Sequence, residues 1–477
     1  MIILLTIFCY FTVLFLFSRW AVGRGNNATF FRGNRQSPWY FVAFGMIGAS
    51  ISGVTFVSVP GMVIGQNMAY AQTCMGFIVG YFLVAFLLLP LYYRLNLTSI
   101  YSYLRTRFGR RSHKTGAAFF LLSKMMSSAV RFYVVCLILQ RFVFDAYGVP
   151  FFLTVFLMVA LVWLYTRQGG IKTLVFTDTF QTLCLFLALG LICYEVMQGL
   201  EMSPLQAFRA VSHDAHSQIF VWNDWVSKQN FWKQFFSGIF IVIVMTGLDQ
   251  DMMQKNLTCK SLRDAQKDMC TYGMAFLPAN LLFLGLGVLL LQYSQKMGLS
   301  LPASPDELML LPVAGGMLGQ DVVVCFTIGV MAACFSSADS ALTSLTTSYC
   351  VDIREAPDDE TLRKRSHLLI ALFFVLFILL FRTLNSTSLI DAIYLISSYT
   401  YGPLLGLFAY GLFTKKDVAD TLVPYIALVA PLLCFAIDTF TFHVWQYKFG
   451  YEILMLNGVL TFVGLYFSRY FQKSSIW

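Results

Sequence analysis

An all-α polytopic membrane protein with about 13 transmembrane helices is what this sequence predicts, and three observations carry that expectation. The chain of 477 residues is 58% hydrophobic and only 12% charged, against about a quarter charged in soluble globular proteins. Apolar runs too long for ordinary core helices recur from end to end. The basic residues sit in the short connections between those runs. A soluble chain so poor in charge would expose large apolar patches, and a porin-like barrel would alternate over strands of about ten residues.

The runs cover residues 2–22, 40–60, 70–93, 117–143, 149–167, 174–198, 234–250, 270–293, 320–350, 366–384, 388–413, 422–441 and 450–470. The first could be a signal peptide. No charged segment precedes it, no Ala-x-Ala site follows, and Arg19 and Arg24 come after the apolar stretch. It is therefore read as a membrane helix.

Alternate connections are basic. They hold Arg19, Arg24, Arg32 and Arg35; Arg94, Arg105, Arg107, Arg110, Arg111 and Lys114; Arg167 and Lys172; Lys255, Lys260, Arg263 and Lys267; Arg354, Arg363, Lys364 and Arg365; Lys415 and Lys416; then Arg469 and Lys473 in the tail. The positive-inside rule puts these in the cytoplasm, with the N-terminus outside and the C-terminus inside. The connections 200–233 and 294–318 also hold some basic residues but are long, and long loops weigh less. Trp222, Trp225 and Trp232 suit an outer interfacial cap, and Tyr92–Gly109 reads as a short interfacial helix on the inner side.

This placement explains the formal charge of +9 better than a nucleic-acid surface does. The 11 cysteines and 5 histidines are scattered, with no CxxC and no Cys/His cluster. Cys74, Cys136, Cys184, Cys325 and Cys334 lie in apolar runs and read as small buried hydrophobes.

Polarity inside an apolar run is costly unless it is used, and four places stand out. Gly48-Ala49-Ser50-Ile51-Ser52-Gly53-Val54-Thr55, followed by Pro60-Gly61, suits either a helix broken at mid-membrane with carbonyls free for a cation, or close packing through small residues. Ser336, Asp339 and Ser340 fall at i, i+3 and i+4 and present hard oxygens on one helix face, chemistry suited to sodium. Asp178 fits a helix cap and an ion ligand equally well. Arg131 lies deep in an apolar helix, where it would pair with a substrate carboxylate or with a buried acid. Lys124 is close enough to the helix end to snorkel.

These residues carry a recognisable pattern. The stretches "ATFFRGNRQSPWY", "TSIYSYLRTRFG", "RQGGIKTLVFTDTFQT", "GLDQDMMQKNLTCKSLRDAQKD" and "AACFSSADSALTS", in this order and spacing, resemble the bacterial solute:sodium symporter family over nearly the whole chain. The resemblance implies one transporter domain in a bacterial inner membrane. Inverted five-helix repeats would cover 40–198 and 234–413, with the first and sixth core helices discontinuous and peripheral helices at 1–24 and 422–470. It implies a primary sodium site from the carbonyls of Gly48, Ile51 and Ala333 and the hydroxyls of Ser336 and Ser337. Asp178, Ser336, Asp339 and Ser340 match a second sodium site found in some members, so the coupling ion is Na+ in one copy or two.

The resemblance also bears on the solute. Sugar-transporting members carry a Glu-Gln pair where this chain has Val54 and Thr55. Sialic-acid-transporting members are closer, and Ser50, Ser52, Thr55 and Arg131 fall on their binding positions. Their glutamines on the second core helix align with Cys74 and Phe77, and Gln72 stands nearby as a substitute. The expected activity is sodium-coupled symport of a carboxylate-bearing solute such as sialic acid, with another organic acid, a sugar or an amino acid as alternatives. The expected partners are a small-molecule solute, sodium and the lipid bilayer, with no nucleic acid and no obligate protein partner. No covalent catalysis is expected, and no Walker loop points to ATP. An ion channel is the main rival, and it would need a continuous pore, commonly from symmetric rings of ligands.

Overall fold

The run 40–60 is broken at its middle, between Ser50 and Gly53, and the run 234–250 is broken near its end, between Gly247 and Gln250, in line with the discontinuous first and sixth core helices expected. The computed structural model describes residues 2–22, 26–167, 169–299, 308–309, 312–313, 315–384 and 389–472. Arg24, Lys473 and residues 300–307 of the long 294–318 connection lie outside the described residues.

The long elements are α1 (Ile2–Val22), α2 (Trp39–Ser50), α3 (Gly53–Gln66), α4 (Tyr70–Arg94), α5 (Arg110–Leu139), α6 (Phe151–Thr166), α7 (Ile171–Gly199), α8 (Phe231–Gly247) and α9 (Gln250–Asn256). They continue with α10 (Leu262–Lys296), α11 (Gln320–Ile353), α12 (Glu360–Leu384), α13 (Leu389–Phe413), α14 (Val423–Trp445) and α15 (Ile453–Gln472). Among the described residues, 8 helices are long and apolar enough to cross a membrane, and up to 10 if each bent pair is one span. The count of 13 is therefore not reached by length and composition alone: Leu5–Arg19 and Phe151–Thr166 are apolar but shorter, and Leu389–Phe413 is not among the spans counted. Large apolar side chains such as Leu372, Leu376, Leu428, Leu432 and Phe435 are exposed on α12 and α14, as suits a lipid-facing surface.

The first interruption bends α2 from α3 by 58°. The Ser52 amide turns back to the Ser50 carbonyl at 2.9 Å instead of continuing the helix to Gly48, and the Phe56 amide then opens α3 on the Ser52 carbonyl at 3.0 Å. Glycines permit the close packing here. A Cβ on Gly53 would stand 1.9 Å from the Cys334 sulfur on α11.

The second interruption bends α8 from α9 by 69°, and Asp249 between them is extended. Its freed carbonyls are taken up by protein. Tyr92 donates to the Gly247 carbonyl at 2.8 Å and Tyr101 to the Leu248 carbonyl at 2.7 Å. Gln250 bonds the backbone of Thr98 and Ile100. The stretch Tyr92–Gly109 thus differs from the surface helix expected. Only Ser102–Arg107 of it forms a new helix, and Tyr92, Ser99 and Tyr101 are fully buried. Tyr92 and Tyr101 are spent on the break, so they do not lie on a membrane surface.

The connection 200–233 carries exposed tryptophans, Trp222, Trp225 and Trp232. Gln72 pins it. The Gln72 amide donates to the Gln229 carbonyl at 2.9 Å and its oxygen accepts from the Val221 amide at 3.1 Å. Replacing Gln72 with Leu should strand both loop groups at a cost of about 1–3 kcal/mol. The expected outcome is a lower unfolding midpoint in detergent and faster trypsin cleavage at Lys228, read by mass spectrometry.

Candidate solute cavity and cation site

The interruption between α2 and α3 faces α11 and α7. The Ser337 hydroxyl on α11 is shared between the Ala49 carbonyl at 3.1 Å and the Ala333 carbonyl at 3.2 Å. A calcium-sized cation, which sodium closely matches, holds oxygens at about 2.3–2.6 Å, so two ligands at a right angle stand roughly 3.3–3.7 Å apart. Both spacings are close to such an edge. Ser336, one residue earlier, donates its hydroxyl to Asp178 Oδ1 at 2.7 Å, which leaves its lone pairs free for another partner. The structure therefore brings Ala333, Ser336 and Ser337 to the broken helix end that carries Gly48 and Ile51. The carbonyl meeting Ser337 is that of Ala49, one residue on from Gly48.

Asp178 is not a helix cap. It lies inside α7, whose first turn begins at Ile171, and it is 1% exposed. Its second oxygen meets the Lys255 ammonium on α9 at 2.7 Å. This contact is an ion pair rather than a directed hydrogen bond. Lys255 counts as a cytoplasmic loop cation by sequence, but it is 2% exposed. Asp339 takes the Tyr165 hydroxyl on Oδ2 at 2.7 Å and the Ser340 hydroxyl on Oδ1 at 3.3 Å. Asp178, Ser336, Asp339 and Ser340 thus form two hydrogen-bonded pairs.

A second feature opens on the other side of Ser50. A cavity of about 70 Å³ is lined by Ser50, Tyr81, Lys124, Arg131, Asp249 and Tyr272, with Phe77, Met245 and Phe276 among its apolar walls. Tyr81 donates to the Tyr272 hydroxyl at 2.6 Å, and Tyr272 pairs in turn with Ser50. Lys124 does not snorkel. It is buried and its ammonium meets Asp251 at 2.6 Å and Asp249 at 3.2 Å. Tyr401 adds a hydrogen bond to Asp249 at 2.6 Å. Arg131 is different, for among the described residues no carboxylate pairs with it and its buried Nε has no hydrogen-bond partner.

Of the other expected solute contacts, Ser52 and Thr55 are buried and do not line the cavity. Gln72 does not line it either, since its amide is spent on the 200–233 connection. Sequence reasoning missed Lys124 and Lys255 as core charges, and Asp249, Asp251 and Tyr272 as their surroundings. The "GLDQDMMQK" stretch held the signal, since a Gly and an Asp beside an apolar run mark a second broken helix.

The sequence profile described as "Sodium:solute symporter family" matches residues 30–420. The chain belongs to the sodium:solute symporter family. It is 25% identical over 435 residues to the sodium/sialic acid symporter SiaT of Proteus mirabilis, covering 83% of this chain and 81% of that protein. It is 24% identical over 442 residues to the sodium/sialic acid symporter NanT of Aliivibrio fischeri, covering 85% and 81%. Its fold matches a substrate-bound, outward-open structure of a Na+-coupled sialic acid symporter. The TM-score is 0.84 at 20% identity, over 99% of this chain and 98% of that one. This sodium:solute symporter is thus an all-α, multi-pass membrane protein whose two bent pairs are consistent with the inverted-repeat fold. Sodium is its coupling ion, and it is a transporter rather than an enzyme.

The packing at the first break yields a paired test. A Cβ on Gly48 would stand 1.9 Å from the Thr182 hydroxyl and 3.0 Å from its Cα, whereas one on Gly65 would meet nothing within 4 Å. Gly48→Ala should push α2 away from α7 and remove the thermal stabilisation that sodium gives the purified protein. Gly65→Ala should keep it.

Proposed function

We propose that this symporter takes up a carboxylate-bearing solute, with sialic acid as the named candidate, together with sodium moving down its gradient. The observation that carries the solute class is Arg131, a guanidinium in the cavity wall with no carboxylate partner among the described residues. A planar, permanently charged fork of this kind suits a carboxylate held by two hydrogen bonds. Ser50 and the Tyr272–Tyr81 pair would bind hydroxyls of the same solute. The names of the bacterial relatives support the choice of sialic acid.

In this reading sodium binds the carbonyls at Gly48, Ala49, Ile51 and Ala333 and the hydroxyls of Ser336 and Ser337. Ser337 then turns its O–H away from the carbonyl it now donates to and presents a lone pair to the ion. Sodium held between α2 and α11 fixes the helix break, and with it Ser50 at the cavity edge. Closure outside and opening inside follow as alternating access, with the inward-negative potential favouring each positive charge carried. Coupling requires that solute and ion prefer the same state.

The membrane arrangement proposed with it counts 13 spans, each bent pair as one, in a bacterial inner membrane. The N-terminus is outside and the C-terminus inside. The inverted repeats run over 40–198 and 234–413, with peripheral helices at 1–24 and 422–470. The basic connections support this orientation.

The deciding experiment is uptake of labelled N-acetylneuraminic acid into proteoliposomes under an inward sodium gradient, with potassium as control. Sodium-dependent, saturable uptake is expected. Its absence from folded protein would send the search to other acids. Arg131→Ala should raise KM at least about 30-fold, the effect of losing a buried charged pair of about 2 kcal/mol or more. Unchanged uptake by that variant would remove Arg131 as the anchor.

The sodium site has its own test. Ser337→Ala should raise the sodium concentration for half-maximal uptake by roughly 10- to 150-fold, as expected for about 1.5–3 kcal/mol lost from a charged oxygen contact.

A further inference from the structure

The resemblance to other symporters gives Asp178, Ser336, Asp339 and Ser340 to a second sodium ion, yet the protein already places a positive charge of its own there. Lys255 reaches Asp178 Oδ2 at 2.7 Å from α9, the short half of the second broken helix. The other oxygen of Asp178 is held by Ser336 at 2.7 Å. Asp339 lies within electrostatic range of both Asp178 and Lys255. Asp251, on the same half-helix as Lys255, also acts on it electrostatically. All four charged groups are buried, at 0–4% exposure.

We propose that Lys255 is a tethered cation that fills the second cation position at Asp178, so that this chain binds a single sodium ion. The inference rests on the primary site proposed above. Ammonium and sodium are both compact monovalent cations that hard oxygens satisfy, and each competes for the same carboxylate. Both cannot stay. Two unit charges about 4 Å apart at an effective dielectric of about 20 repel strongly enough to weaken binding roughly a thousandfold. Lys255 is attached to its helix and pays no entropy of capture from solution, whereas a free ion must be recruited at each cycle. Its ion pair also joins α9 to α7, so a cation leaving this position would carry a half-helix with it.

The test uses the full-length protein in two assays: equilibrium binding of radioactive sodium to purified protein, and sodium-dependent uptake in proteoliposomes. The unaltered protein should bind one sodium ion per chain, with a Hill coefficient of about 1 for independent single-site binding. Lys255→Met should free Asp178 and raise both the bound sodium and the Hill coefficient toward about 2, as a second coupled site would. Lys255→Arg, which keeps the charge, should stay at one ion. The double variant Lys255→Met with Asp178→Asn should return to one. Two ions on the unaltered protein overturn the assignment of Lys255 and leave the primary site standing, even where Lys255→Met fails to fold. One ion on folded Lys255→Met also overturns it. No sodium on the unaltered protein overturns the primary site, and this inference with it.

Discussion

A helix cannot stop inside an apolar slab unless something takes up the backbone groups it frees. This chain stops two helices in that way and answers the problem differently each time. At the second break the freed carbonyls of Gly247 and Leu248 are claimed by Tyr92 and Tyr101, and Gln250 seals the connection that carries those tyrosines. At the first break the Ala49 carbonyl meets only a serine hydroxyl that can rotate. A tyrosine bond to a carbonyl is a permanent solution. A serine that both donates and accepts can give its place to an ion, because the hydroxyl has lone pairs to turn inward. The breaks thus differ: tyrosine hydroxyls close the second, whereas the first leaves a carbonyl on a hydroxyl that can turn to an ion, as the proposed cation site requires.

Much of this was legible in the sequence, and the parts that were not share a cause. Broken helices leave marks that survive in one dimension, such as the Gly48–Thr55 run of small residues and hydroxyls. The face formed by Ser336, Asp339 and Ser340 follows from helical periodicity alone. Lys255 was misread because a positive charge next to a span is normally in a loop, and nothing local says that α9 folds back into the core. Lys124 was misread for the same reason in reverse, since snorkelling explains any lysine near a helix end until its acids are located. Asp249 and Asp251 sit at the second break and the start of α9, about 125 residues away in sequence, a separation that no local pattern carries. Gln72 failed because an amide of the right type at the right helical position was turned to the 200–233 connection instead.

The interior spends its charges unequally. Lys124 is bound by two carboxylates and Lys255 by one, with two more in electrostatic range. A lysine so held is expensive to bury and strongly destabilising to strip of its acid. Arg131 has no such acid among the described residues, and it alone of the three turns a guanidinium to the cavity wall. Under the proposed function, a cavity with Lys124 already paired would discriminate by Arg131, and the ion pairs could stay fixed while the solute comes and goes.

The distance over which sodium and solute must communicate is short. Ala49 and Ser50 are consecutive residues at the end of one half-helix. The first accepts the Ser337 hydroxyl at its carbonyl on one side, and the second shares a hydrogen bond with the Tyr272 hydroxyl on the cavity side. Arg131 is tied to the same region, because α5 packs on α11 and the Cys334 thiol reaches the Arg131 carbonyl at 3.7 Å. An ion that fixes the Ala49 carbonyl therefore fixes the backbone from which Ser50 reaches the solute. Thermodynamic linkage makes the effect mutual, so a solute that orders Ser50 tightens sodium by the same factor. No relay through the bundle is needed in the proposed arrangement, which puts the ion on one side of one unwound turn and the solute on the other.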